Sequence, residues 1–146
     1  MKLSVGFRRA VSTDIDFLLL LRKSTMTEHL NNAGFNFSEQ DHINRINEFF
    51  NDSFIITNHQ QNIGLIKLGV FSNRIHIRQF QILPVFHRKG IGSYVLNVVK
   101  KKARENQLPV TLNVLFDNPA KDLYIRHGFY VEEQSTLEYK MRWEEQ

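Results

Sequence analysis

Ile82-Leu83-Pro84-Val85-Phe86-His87-Arg88-Lys89-Gly90-Ile91-Gly92 is the stretch on which the fold turns. Pro84 has no amide hydrogen to give a ladder, so it ends the strand before it. A basic loop follows, and Gly90-x-Gly92 opens a helix that runs to about Asn106. Glycines at a helix start let a ligand approach the backbone, and the free amides there, aided by the helix dipole, suit an anion such as a pyrophosphate. The spacing is not a Walker loop, and Val95 stands where a dinucleotide fingerprint needs its third glycine.

Upstream, the strand that Pro84 closes, Ile75 to Leu83, carries an irregularity. Ile75 and Ile77 share one parity, Phe80 and Ile82 the other. A β-bulge near Arg78 or Gln79 explains the switch, as does a strand buried on both faces. Before it, Phe54 to Thr57 and Ile63 to Phe71 read as a hairpin. Residues 4 to 9 read as a first strand. Two helices lie between, one starting at Thr13 with Asp16 three positions on, the other at Ser38 with Asp41. In the second, Ile43, Ile46 and Phe50 share a face. Asn31 to Gly34 reads as a turn.

Downstream, Ile91, Val95 and Val98 mark the buried side of the helix, whose last turns hold Lys100, Lys101, Lys102 and Arg104. A solvated helix end with cations complementing the dipole accounts for them, and a nucleic-acid patch is the competing reading. Pro109 to Leu115 is a strand, a short helix ends at His127, and two strands close the chain. In the last, Leu137, Tyr139, Met141 and Trp143 alternate with charged residues. The class is α/β with a sheet of mixed direction.

The 146 residues contain 42% hydrophobic and 23% charged positions, enough for one core without metal or disulfide staples, and one domain over 1–146 is expected. The absence of cysteine excludes a disulfide framework, a thiolate metal site and a cysteine nucleophile. No histidine pair has metal-ligand spacing, so no metal is expected. A net charge of +4 favours a polyanionic partner without naming it. Phe17 to Leu21 is too short to span a bilayer, and Asp14 and Asp16 spoil it as a leader, so no membrane partner and a cytoplasmic location are expected.

A second segment, Asn118-Pro119-Ala120-Lys121-Asp122-Leu123-Tyr124-Ile125-Arg126-His127-Gly128-Phe129, follows about 26 residues after the first. Together the two resemble the hallmark motifs of the GNAT superfamily of acetyl-CoA-dependent N-acetyltransferases, specifically over residues 80 to 129. Tyr139 to Trp143 looks like the last strand of one poorly characterised branch. The resemblance implies a single-domain, mostly antiparallel mixed sheet flanked by helices, with a V-shaped opening between central strands where acetyl-CoA lies as co-substrate. It implies that backbone groups of Phe80 and Ile82 pair with the pantetheine arm. The amides of Arg88, Lys89, Gly90, Ile91, Gly92 and Ser93 would hold the pyrophosphate, and Asn118 would contact the cofactor. Tyr124 would lie near the sulfur as general acid. The first motif normally opens with Gln or Arg, and His87 stands there instead. In the second, the spacing from Asn-Pro-Ala to Tyr124 is one residue shorter than the commonest form.

An acetyl-cysteine intermediate is impossible without cysteine, so direct attack by an amine in a ternary complex is expected. Glu28 and His29 lie where such proteins place acceptor-binding residues, and a solvated helix end explains them equally well. Gln79 and Gln81 could face the acceptor but cannot act as bases. The acceptor would be an amine of a small molecule, peptide or protein, with nucleic acid disfavoured and homodimerisation left open. The alternative is a non-catalytic acetyl-CoA sensor or a basic interaction module.

Overall fold

The computed structural model describes residues 2–26, 32–34 and 36–146. Strand β1 (Val5–Arg9) leads to helix α1 (Ile15–Thr25) and helix α2 (Glu39–Asn47). Strands β2 (Ser53–Asn58), β3 (Gln61–Val70) and β4 (Ile75–Ile82) follow. Helix α3 (Ile91–Glu105), strand β5 (Val110–Leu115), helix α4 (Ala120–Arg126) and strands β6 (Tyr130–Gln134) and β7 (Glu138–Trp143) complete the chain. The strands form one seven-stranded sheet in the order β1-β2-β3-β4-β5-β7-β6. Among the described residues, only β4 and β5 pair in parallel.

Two apolar clusters sandwich this sheet. Ile56, Ile66, Ile77 and Ile82 pack with Val95, Leu96 and Val99 of α3 and with Tyr124 of α4. Ile55 and Leu65 pack with Leu18 and Leu21 of α1 and Ile46 of α2. The buried side of α3 turns toward Val99 rather than the expected Val98, which is 39% exposed. Both positions fit the helical spacing from Val95, and the sheet selects the fourth residue on over the third.

The Ser38 start of α2 is as expected: its hydroxyl accepts from the Asp41 amide at 3.1 Å, and the Asp41 carboxylate accepts from the Ser38 amide at 2.8 Å. The start of α1 is not. A short 3-10 turn at Ser12–Asp14 precedes the helix; the Asp14 carboxylate accepts from the Val11 amide at 2.8 Å and so closes that turn, while Asp14 stands as N-cap of α1 without a side-chain bond to it. The polar spacing at Thr13 and Asp16 is shifted by that turn, and Asp14 is further held by both terminal nitrogens of Arg8.

The parity switch in β4 is a bulge. Lys67 of β3 faces Gln79, the next residue Leu68 faces Ile77, and Arg78 is the extra residue between. Its insertion turns Phe80 and Ile82 to the α3 side already occupied by Ile75 and Ile77.

Candidate functional site

Beyond the bulge the sheet splits. β4 and β5 are joined only at Ile75↔Val110, His76↔Thr111 and Ile77↔Leu112. Past Ile77 the two strands part into a V, and a cleft of about 470 Å³ occupies the gap. Leu112 to Leu115 form one wall, and Arg78 to Gln81 the other. Leu83 donates its amide to Ile63 of β3. Since successive peptide groups along a strand point to opposite sides, the backbone groups of Ile82 and Phe80 point the other way, into the V.

His87 has a defined place here. Its Nε2 donates to the Ile82 carbonyl oxygen at 2.6 Å, spanning the turn from the strand to the basic loop. Of the Ile82 backbone, the carbonyl is thus engaged within the protein, while the amide faces the V. The loop then passes Arg88 and Gly90, both with positive φ (61° and 83°). Tyr94 is the first residue of α3 to donate back, to Gly90 at 3.0 Å. The amides of Ile91, Gly92 and Ser93 precede it and have no intrahelical acceptor. Gly92 sits against α4, for a Cβ there would lie 3.0 Å from Leu123 Cδ2. Arg88 and Lys89, in the loop that precedes α3, are exposed.

Sequence reasoning missed two contacts that fix this corner. His127, ending α4, contacts the Ser93 hydroxyl through Nε2 at 3.0 Å, and its carbonyl accepts from Lys100 Nζ at 3.1 Å. Burial first, then Lys100 and Arg126, lower the His127 pKa and so favour the neutral imidazole. These bonds tie the two segments of the sequence motif together in space.

Asn118 lines the cleft, with its side-chain oxygen accepting from the Ala120 amide at 2.9 Å. Its NH₂ has no hydrogen-bond partner among the described residues. Tyr124 also lines the cleft; it is 6% exposed and its ring packs on Phe129 at 5.7 Å. Burial pushes the phenol well above its ordinary pKa and keeps it protonated.

The wall on the α1 and α2 side carries charge that the sequence did not disclose. Arg22 is 3% exposed, and its Nε donates to His42 Nδ1 at 3.1 Å. Burial, and then Arg45, lower its pKa to about 10, which leaves it cationic at neutral pH. Lys67 is 2% exposed and donates to the carbonyls of Arg45, Ile46 and Glu48 at 3.3, 3.1 and 2.7 Å. It closes the C-terminal end of α2, and burial pulls its pKa down to about 8. A lone lysine inside the apolar run from Ile63 to Val70 was the available signal for this arrangement. Glu28 and His29 lie outside the described residues.

A family model described as "Acetyltransferase (GNAT) domain" matches residues 24–143. No curated protein matches the chain in sequence. Among solved structures, the PaiA N-acetyltransferase of Thermoplasma acidophilum in complex with coenzyme A superposes with a TM-score of 0.75 at 18% identity, covering 97% of this chain and 99% of that one. A GNAT-family acetyltransferase from Bacillus anthracis gives 0.74 at 15% identity, over 98% and 96%. An acetyltransferase from Thermus thermophilus gives 0.79 at 15% identity, over 98% of each. At these identities the likeness is one of fold.

Proposed function

The chain belongs to the GNAT acetyltransferase family, and from that premise we propose that it transfers the acetyl group of acetyl-CoA to an amine by direct attack in a ternary complex. The observation that carries this reading is the V between β4 and β5, with Tyr124 buried in its lining.

In this reading the pantetheine arm lies along β4, taking the peptide groups of Phe80 and the amide of Ile82. The pyrophosphate sits on the amides from Arg88 to Ser93, with the Arg88 and Lys89 side chains beside it and the Asn118 NH₂ reaching the arm. His87 acts on this site through Ile82, fixing the turn, rather than through the phosphates.

The amine nitrogen bonds to the thioester carbonyl carbon, the carbon–sulfur bond breaks and coenzyme A leaves as thiolate. An amine of pKa about 10.4 is neutral in roughly one molecule in 2,500 at pH 7, a handicap of about 4.6 kcal/mol, so its proton must pass to a base or water chain. Glu28 and His29 remain the candidates for that role from the sequence. Tyr124 gives its phenolic proton to the sulfur as charge develops. Its raised pKa makes it a weak acid, but the same dry surroundings raise the basicity of the thiolate it serves.

Titration with acetyl-CoA, read by thermal shift, tests the cleft, and thiol release with an amine panel tests turnover. Stabilisation by acetyl-CoA and not by an oligonucleotide is expected. No response to acetyl-CoA would overturn the reading, and binding without turnover would leave a sensor.

A further inference from the structure

We infer that the acceptor is a small amine that also carries a carboxylate, an amino acid or a close analogue. The inference rests on the acetyltransfer reading and specifies the other half of the same cleft.

Arg22 lines the cleft from the last turn of α1. The cations Arg8, Lys23, Arg45 and Arg78 are paired with Asp14, Glu39, Glu48 and Asp52. Arg22 is more deeply buried than any of these, yet among the described residues no carboxylate pairs with it. Its side-chain hydrogen bond there is from Nε to His42, which leaves the terminal nitrogens of the fork for another partner. A buried cation is costly unless an anion or acceptors surround it, and a guanidinium matches a carboxylate with two parallel hydrogen bonds.

Gln79 and Gln81 supply the second, independent observation. Both line the cleft, and their side-chain oxygens are buried with no hydrogen-bond donor. Such an oxygen needs an N–H or O–H. An amine nucleophile brings N–H groups to this place. Gln79 and Gln81 lie opposite Lys67 and Leu65 on β3, and Leu65 packs with α1 and α2, so both face the side of the sheet that holds Arg22. Met26, Phe37 and Phe49 add an apolar lining suited to a side chain. The cations Arg22, Arg45, Lys67 and Arg78 outnumber Glu48 and Glu138 around the cleft, which opposes a polyamine.

The test measures thiol release at saturating acetyl-CoA with matched sets of acceptors: amino acids, their methyl esters, the corresponding decarboxylated amines, and a polyamine. The wild type is expected to favour acids over esters at least about tenfold in kcat/KM, mainly through KM. Arg22→Met should erase that preference by bringing kcat/KM for the acids down to that for the esters, and Arg22→Lys should restore part of it. Gln79→Leu should raise KM for all the amines. Equal use of acids and esters by the wild type, or a better polyamine, would overturn the inference even if the buried variants fail to fold. So would an acid preference that survives Arg22→Met. Failure to bind acetyl-CoA instead removes the acetyltransfer reading, so the two failures are distinct.

Discussion

The carbonyl oxygen of Gln81 stands so close to Gly64 that a Cβ on the glycine would lie 2.4 Å from it. The glycine allows β3 and β4 to approach where β4 turns its Phe80 and Ile82 peptides into the V. Gly64→Ala is expected to force the strands apart, cost about 1–3 kcal/mol of stability and weaken acetyl-CoA binding together with it. Urea denaturation and an acetyl-CoA titration on the same preparation check this; unchanged values for both would show that the strands yield.

Tyr124→Phe keeps the ring that packs on Phe129 and removes only the hydroxyl. Acetyl-CoA affinity should be unchanged and kcat should fall about 100-fold, within the usual range for a positioned acid. Because burial raises the phenol's pKa, its protonated form persists through the ordinary tyrosine range. A wild-type rate that drops below pH 10 through loss of this proton would contradict the assignment, as would unchanged kcat in the variant.

Lys67→Met leaves three carbonyls at the end of α2 without their donor and should destabilise the protein by about 1–3 kcal/mol. Burial lowers the lysine pKa to about 8 from its model-peptide value of 10.5, so between these values the unfolded chain binds more protons than the folded one. This residue's contribution therefore becomes more favourable as pH rises through that window. The difference in stability between wild type and variant, followed by denaturation from pH 7 to 10.5, should widen.

Asp14 has the opposite sign. Hydrogen bonds from Arg8 first, and then from the Val11 amide, hold its carboxylate below the ordinary range against the effect of burial. Its stabilisation is complete above about pH 4 and is lost as pH falls through the lowered folded value. Asp14→Asn should cost about 1–3 kcal/mol at pH 7, and the gap from wild type should close only in acid, as denaturation curves at pH 7, 4 and 3 would show.

These residues also mark how far the sequence could be read. The bulge was visible because Ile75 and Ile77 against Phe80 and Ile82 break parity, and strand pairing makes parity a strong constraint. The glycines and Asn118 were visible because backbone geometry and motif spacing are local. The start of α1 was misread because a 3-10 turn at Ser12–Asp14 precedes it, which puts the N-cap at Asp14 rather than Thr13 and leaves it without a side-chain bond to the helix. Arg22 was hidden because one charge among Leu18, Leu19, Leu20 and Leu21 reads as the end of an amphipathic helix. Its burial comes from α2, β4 and His42, partners at distant positions. The contact between His127 and Ser93 was likewise beyond periodicity, since it joins two helices 34 positions apart.

The three rungs that join β4 to β5, at Ile75 to Ile77, also divide the hydrogen bonding of the sheet into two blocks, β1 to β4 and β5 to β7, which one apolar cluster with α3 spans. Each block presents an internal edge to the V, and an open edge is a template for unwanted strand pairing. On the proposed acetyltransfer reading, a ligand along β4 would splint that seam. Amide exchange at Phe80 and Ile82 should therefore slow when acetyl-CoA binds, and the occupied protein should resist association through the seam better than the empty one.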